Sequence, residues 1–319
     1  MKKWIIRPPR MLDDMHTAKF KPTAGLVLLI AIAIYIAYSK ATVVGLVVYG
    51  VALALNPAYA SFSAILNALT SSQGIMIFSL FITVVLTAFT LIYLRRIEKR
   101  PLVTAGISRT RFAPRYAAGF GLGAIALLLC FTPSLISEGV AYCGVSVLIP
   151  VYLLAFMVQS SSEEVFFRGF MMTGIAKKTG ILLAVIISSV IFSLAHALNG
   201  GYSLLSGIYY TLIGAFLALL LLRTGNIWAS CGFHGAWNFT IGLLAPIELG
   251  SGLPAVDYAV FDTGEATQID YGILGDPYYL ILIGIFLAAI AVLLFVGRNK
   301  LIVRAPLPAP SQNIPEEIV

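Results

Sequence analysis

Residues 24–55 read AGLVLLIAIAIYIAYSKATVVGLVVYGVALAL, a run whose only charge is Lys40. In lipid every backbone N–H and C=O has to be paired within the chain, so a single such run is helical. A spanning helix needs about 20 mostly apolar residues, and Lys40 leaves about 15 on either side. The run is therefore one long tilted helix, or one span followed by a re-entrant or interfacial piece. Which of these holds sets the number of spans, and with it the side of the membrane on which every later loop lies.

Seven further apolar runs follow, near 74–94, 116–136, 145–170, 181–198, 204–222, 227–247 and 278–296. Of the 319 residues, 59% are apolar and 11% charged, against roughly 45–50% and about 25% in soluble domains. Mean hydropathy is +0.94. A soluble fold covers its core with polar surface, and this chain lacks the residues to do so. That excludes a soluble enzyme, a secreted disulfide scaffold and a disordered chain. The expected fold is all-α, a polytopic transmembrane bundle of about eight helices in the lipid bilayer over residues 24–297. A basic leader (1–23) precedes it and a Pro-rich tail (298–319) follows. The polar lead is too long, and the first apolar run too extended, for a cleavable signal peptide.

The loops carry a sidedness signal. Lys2, Lys3, Arg7, Arg10, Lys19 and Lys21 lie in the leader, and Arg95, Arg96, Lys99, Arg100, Arg109, Arg111 and Arg115 in the loop 95–115. Lys177, Lys178 and Arg223 mark the next two turns on that side, and Arg298, Lys300 and Arg304 follow the last span. The alternate connections, 56–73, 137–143, 199–203 and 248–276, contain no Lys or Arg, and the last of them holds six acidic residues. Basic loops stay in the cytoplasm. Every basic loop falls on one side with eight spans, whereas splitting 24–55 into two would put the seven-charge loop outside. Both termini are expected in the cytoplasm, at the plasma membrane in a prokaryote.

The net charge of +7 is thereby spent on orientation. Nucleic acid is not expected as a partner, because no basic face or stacking platform accompanies the charge. Cys130, Cys143 and Cys231 show no metal-ligand spacing, and an odd number cannot all pair.

Few ionisable residues remain inside the spans: Lys40, Glu163, Glu164, Arg168, His196 and His234. A carboxylate at that depth costs roughly 2.5–3.5 kcal/mol even on the lenient insertion scale, which makes such groups functional candidates. The alternative is a polar clamp between helices, which two adjacent glutamates and two histidines make less economical. Glu164 and Arg168 are four apart on one helix face and can neutralise each other. Glu163 points about 100° away, without a local partner, and is available as a general base. His234 and Asn238, also four apart, share a face and can donate jointly to one oxygen.

Glu163-Glu164-x-x-x-Arg168, Phe192-x-x-x-His196 and His234-x-x-x-Asn238, in that order on three spans, resemble the CPBP (Abi) family of intramembrane proteases, which includes the type II CAAX prenyl endopeptidases and bacteriocin-related members. The resemblance covers roughly residues 100–247, including Ala105-Gly106-Ile107 after the basic loop. It implies hydrolysis of a peptide bond in a membrane-associated peptide or protein, prenylated or bacteriocin-like. By similarity, Glu163 and His196 activate water, His234 and Asn238 stabilise the oxyanion, and Glu164 with Arg168 hold the site or touch the substrate. Two Glu and two His also suit a divalent metal such as zinc with an open position, held by Glu163, His196 and His234; metal-independent water activation is slightly favoured.

Two other classes compete. One is an ion-coupled carrier, against which stands the absence of inverted repeats and paired broken helices. The other is a non-catalytic immunity or scaffold member of the same family, against which stands the complete motif set. No His-Glu-x-x-His occurs in the chain. One tension remains inside the hydrolytic reading. At 1.5 Å per residue, Glu163 and His234 fall toward the cytoplasmic ends of their spans and His196 toward the far end of its own. They meet only if a boundary shifts, the helices tilt or a span is broken. The sidedness itself is open to test. In a cysteine-free background, Asp262→Cys is expected to react with an impermeant maleimide in intact cells, and Arg109→Cys only after permeabilisation. The reverse pattern contradicts the eight-span order.

Overall fold

The structure, a computed structural model, describes residues 17–56, 72–137, 145–197, 202–244 and 278–296, with short pieces at 4–6, 11–12, 61, 63, 141–142, 247–249, 253–256, 261–262 and 302–304. Most of the acidic connection 248–276, the tail beyond 304 and His16 lie outside the described residues. Helix α1 is Ala24–Ala54; α2 (Ser72–Ile82) and α3 (Val84–Ile92) run on into a π-turn at Tyr93–Glu98; α4 is Phe112–Ser137. Helix α5 (Ile149–Glu164) passes through a π-helical stretch, Val165–Met172, into α6 (Thr173–Thr179). Then come α7 (Ile181–His196), α8 (Leu204–Thr224), α9 (Trp228–Leu244) and α10 (Tyr278–Phe295).

Each apolar run of the sequence is thus helical, and the protein is a helical membrane bundle. Ala24–Ala54, Gly74–Glu98, Phe112–Cys130 and Leu204–Thr224 are long and apolar enough to cross a membrane, and Ile181–His196 and Tyr279–Phe295 are shorter apolar helices. The ambiguous run 24–55 is one helix, uninterrupted at the exposed Lys40. Large apolar side chains such as Leu29, Val47, Leu129 and Leu182 stand exposed on the outer faces, where lipid solvates them as well as protein would. The strands among the described residues are three short antiparallel pairs. Trp4–Ile6 (β1) pairs with Ile302–Arg304 (β6), Ala141–Tyr142 (β2) with Phe261–Asp262 (β5), and Ile247–Leu249 (β3) with Leu253–Val256 (β4). The first joins leader to tail, and the second joins two of the connections that carry no Lys or Arg.

Local chemistry ends the helices where they end. Thr23 caps α1 by accepting from Leu26 N, at 3.2 Å. Ser203 and Ser206 cap α8 reciprocally, Ser206 N donating to Ser203 Oγ at 3.2 Å and Ser203 N to Ser206 Oγ at 2.8 Å. Arg223, at the end of α8, donates to Val292 O (2.9 Å) and Leu293 O (3.0 Å) in the last turn of α10 and to Val296 O (2.7 Å) just beyond it. A cation there complements the helix dipole.

The tightest seam joins α4 to α9. A Cβ at Gly119 would collide with Ala229 O, one at Gly123 with Phe233 O, and one at Gly232 with Tyr116 O. Gly119-x-x-x-Gly123 is a small-residue pattern that lets two backbones touch, and it fixes the height of α9. On the other side of α9, Phe216, Phe233, Trp237 and Phe286 form a ring cluster in which Trp237 Nε1 donates to Tyr209 Oη at 2.9 Å.

Two sequence expectations need correction. The span given as 145–170 runs as one continuous helical rod from Ile149 to Thr179. Lys177 and Lys178 mark its exposed end rather than a loop. Second, Arg100 is not a solvated loop charge: it is 3% exposed, as is Glu98, and the two pair through Nε and Oε2 at 3.0 Å. Lys99, in the left-handed conformation (φ 50°), turns the chain back so that Arg100 points inward. Because the α4–α9 seam has no room for a side chain, Gly119→Leu should overpack it by about 1–3 kcal/mol or more. Gly121, whose Cβ would meet nothing within 4 Å, supplies the control. Melting in detergent should fall sharply for Gly119→Leu and little for Gly121→Leu; equal melting of the two contradicts the seam.

Candidate active site

The boundary shift resolves the depth tension. Glu163 lies fourteen residues after Ile149 and sixteen before Thr179, about 21 Å and 24 Å along the rod, so it sits near the middle of the rod. The π-stretch begins one residue after Glu164. Its wider turn displaces carbonyls from ordinary α partners, and Gly169 O instead accepts from Arg100 Nη2 (3.1 Å) and Thr173 Oγ1 (2.5 Å). The buried Glu98–Arg100 pair thus fastens the stretch that carries Arg168.

Glu164 and Arg168 are fully buried, and His234 is 2% exposed. Glu164 Oε1 accepts from Arg168 Nη1 at 2.9 Å within the rod and from His234 Nδ1 at 3.0 Å across to α9. Arg168 also donates through Nη2 to Gly214 O on α8 at 3.3 Å and lies 4.1 Å from the centre of the Phe192 ring on α7. One ion pair therefore ties four helical elements together. Breaking such a pair by removing one partner typically costs about 3–5 kcal/mol, because the other charge is left buried.

A carboxylate that already binds Arg168 acts as acceptor, so Nδ1 of His234 carries hydrogen and Nε2 is turned the other way. It faces Glu163, whose Oε2 lies 3.8 Å off. That is too long for a hydrogen bond, and short enough for both atoms to contact one oxygen at hydrogen-bonding distance. Glu163 is the more open acid, with 19% of its side chain exposed. Contrary to the expectation from spacing, it has a local partner: Gln159, one turn earlier, donates through Nε2 to Glu163 Oε1. Oε2 of Glu163 has no hydrogen-bond partner among the described residues.

Asn238 is one turn beyond His234 on the same face, but the two do not share an acceptor. Asn238 Nδ2 donates to Gln159 Oε1 at 3.2 Å and to Ser160 Oγ at 3.4 Å. His196, at the end of α7, contacts Phe192 O through Nδ1 at 2.9 Å and is held between the rings of Phe192 and Tyr210, each 4.5 Å away. A carbonyl accepts, so Nδ1 is the donor and Nε2 is left available. Among the described residues His196 makes no hydrogen bond to Glu163, Glu164 or His234; the Phe192 ring lies 4.5 Å from the His196 ring and 5.9 Å from that of His234. The motif residues thus gather into a Glu163–Glu164–Arg168–His234–Asn238 core with His196 at its edge. Sequence reasoning missed Gln159, Ser160 and the Glu98–Arg100 pair. Gln159 was within reach of the same four-residue rule that paired Glu164 with Arg168.

Three of the six residues would be needed to hold a metal, Glu163, His196 and His234. Among the described residues no three His, Cys, Asp or Glu side chains converge as a metal-binding group, while the Glu164 contact at His234 Nδ1 leaves Nε2 of His234 open.

Residues 145–240 match the family model described as type II CAAX prenyl endopeptidase Rce1-like. The chain carries an Rce1-like domain. That model is one of the CPBP family, and the matched segment runs from the start of α5 into α9, so that Glu163, Glu164, Arg168, His196, His234 and Asn238 all lie within it. No curated protein and no solved structure matches the chain. The likeness to a CAAX-type protease family is thus confined to residues 145–240 of this membrane protein, with α1–α4 and α10 outside the matched segment.

Proposed function

We propose that the protein is an intramembrane endopeptidase that hydrolyses a peptide bond of a membrane-associated peptide or protein without a metal. The observation that carries the reading is the pair of atoms facing each other at the centre of the bundle. Glu163 Oε2 and His234 Nε2 stand 3.8 Å apart, and each is aimed by a hydrogen bond on the other side of its own group. This is what a base and an oxyanion donor need in order to serve one tetrahedral centre.

In the reaction proposed, Glu163 takes a proton from water as the water oxygen attacks the scissile carbonyl. The carbonyl oxygen becomes an oxyanion and receives Nε2–H of protonated His234. Entering that step, two carboxylates, one guanidinium and one imidazolium sum to no net charge. Asn238 joins as a second oxyanion donor by releasing Ser160, the longer of its two contacts. Collapse of the intermediate breaks the C–N bond, and Glu163 returns its proton to the amine. Glu164 and Arg168 stay out of the bond changes and hold His234 in place. His196, with Nε2 available, is placed to accept a hydrogen bond from the water or substrate at the edge of the site.

A prenylated CAAX peptide is the first substrate class to try, on the strength of the family. The proposed orientation, both termini cytoplasmic, is supported by the pairing of leader with tail and by the basic loops. Glu163→Gln keeps volume and hydrogen bonding while removing the base. Cleavage of a quenched prenyl peptide in proteoliposomes should fall by about 10²–10⁴-fold with the melting curve unchanged. Cleavage at the wild-type rate contradicts the assignment of the base, and loss of wild-type activity with chelator, restored by zinc, replaces it with metal ligation.

A further inference from the structure

We infer that Gln159, a residue outside every motif above, is the positioning residue of Glu163; the inference rests on the hydrolytic reading for its consequence and on geometry for its contact. Gln159 and Glu163 occupy one face of α5, and Nε2 of Gln159 donates to Glu163 Oε1. The other end of the amide is filled as well: Gln159 Oε1 accepts from Ser160 Oγ at 3.0 Å and from Asn238 Nδ2 at 3.2 Å. This fixes which way the amide points. Turned over, it would set its oxygen against a carboxylate oxygen and its NH2 against the NH2 of Asn238.

A carboxylate at the end of a glutamate rotates within a broad, two-fold torsional well. Free of constraint, Glu163 would present its two oxygens to His234 in many orientations. With Oε1 held by Gln159, Oε2 is the oxygen left facing His234 Nε2, and the base is aimed before substrate arrives. The same network gives Asn238 a second role. At rest it anchors Gln159 from α9, so the base on α5 and the oxyanion donor on α9 are joined through one amide, and a shift of α9 is felt at Glu163.

The test uses the full chain in proteoliposomes and the substitution Gln159→Met, which keeps length and volume but neither donates nor accepts as an amide does. The infrared carboxylate band of Glu163, isolated as the difference between wild type and Glu163→Gln, is expected to move in Gln159→Met. An unmoved band overturns the inference, whatever the activity. On a prenyl peptide, kcat is expected to fall about 10–100-fold, as for removal of a supporting hydrogen bond, with KM and melting unchanged. The loss in Gln159→Met/Asn238→Ala should be smaller than the product of the single losses, since both act through one network. An unchanged kcat, or losses that multiply fully, overturns the inference while leaving hydrolysis standing. A wild type that cleaves nothing while the band still moves overturns hydrolysis and leaves the contact standing.

Discussion

Glu164 is an anion with no exposed surface in the middle of an apolar bundle, and the rest of the architecture answers that fact. A buried carboxylate is tolerated when cations and hydrogen bonds replace the water it has lost. Arg168 does this from one turn away and His234 from the facing helix, both on the same oxygen. The arrangement has a by-product: a histidine held through Nδ1 has its other nitrogen aimed. What stabilises the charge also orients the chemistry. The remaining oxygen of Glu164 lacks a partner among the described residues, so the site stays incompletely satisfied.

Holding that contact requires α5 and α9 to keep their relative height, and the helices outside the family-matched segment provide for it. Helix α4 presses its glycines against the backbone of α9. The turn after α3 sends Arg100 into the bundle to bind Gly169 O and Thr173 Oγ1 on the rod that carries Glu164. Ile227 N, just before α9, donates to Gly106 O at 3.0 Å, tying the same turn to the base of α9. The Rce1-like segment contains the six motif residues, but its geometry is set in part by residues 98–123, which lie before it.

Much of the bundle was legible in the sequence because lipid imposes a simple rule, about 20 apolar residues per helix. The rule locates helices and says little about where they stop. Lys177 and Lys178 look like a loop to a hydropathy reading, yet lysines at a helix end reach water along their own stems, so the rod continues to Thr179. Displacing the end by nine residues moved Glu163 to the middle of its rod and removed the apparent conflict with His196. The Glu164–Arg168 pair was legible from spacing, being local to one helix. The partners of His234 and Asn238 were not, since helical spacing predicts which residues share a face and not what faces them. The Gly119-x-x-x-Gly123 seam was present in the sequence as a pattern. The inward turn of Arg100 was not, because it depends on a left-handed backbone at Lys99 that nothing in that residue demands.

The central claim, that Glu164 fixes His234 through Nδ1 and thereby turns Nε2 toward Glu163, is open to one direct measurement. The chain has three histidines, so the 15N NMR spectrum of histidine-labelled protein in bilayers is simple enough to assign His234 by its loss in His234→Gln. A proton on Nδ1 of His234 is expected that is protected from exchange and disappears in Glu164→Ala. A bare Nδ1 with the hydrogen on Nε2 would contradict it.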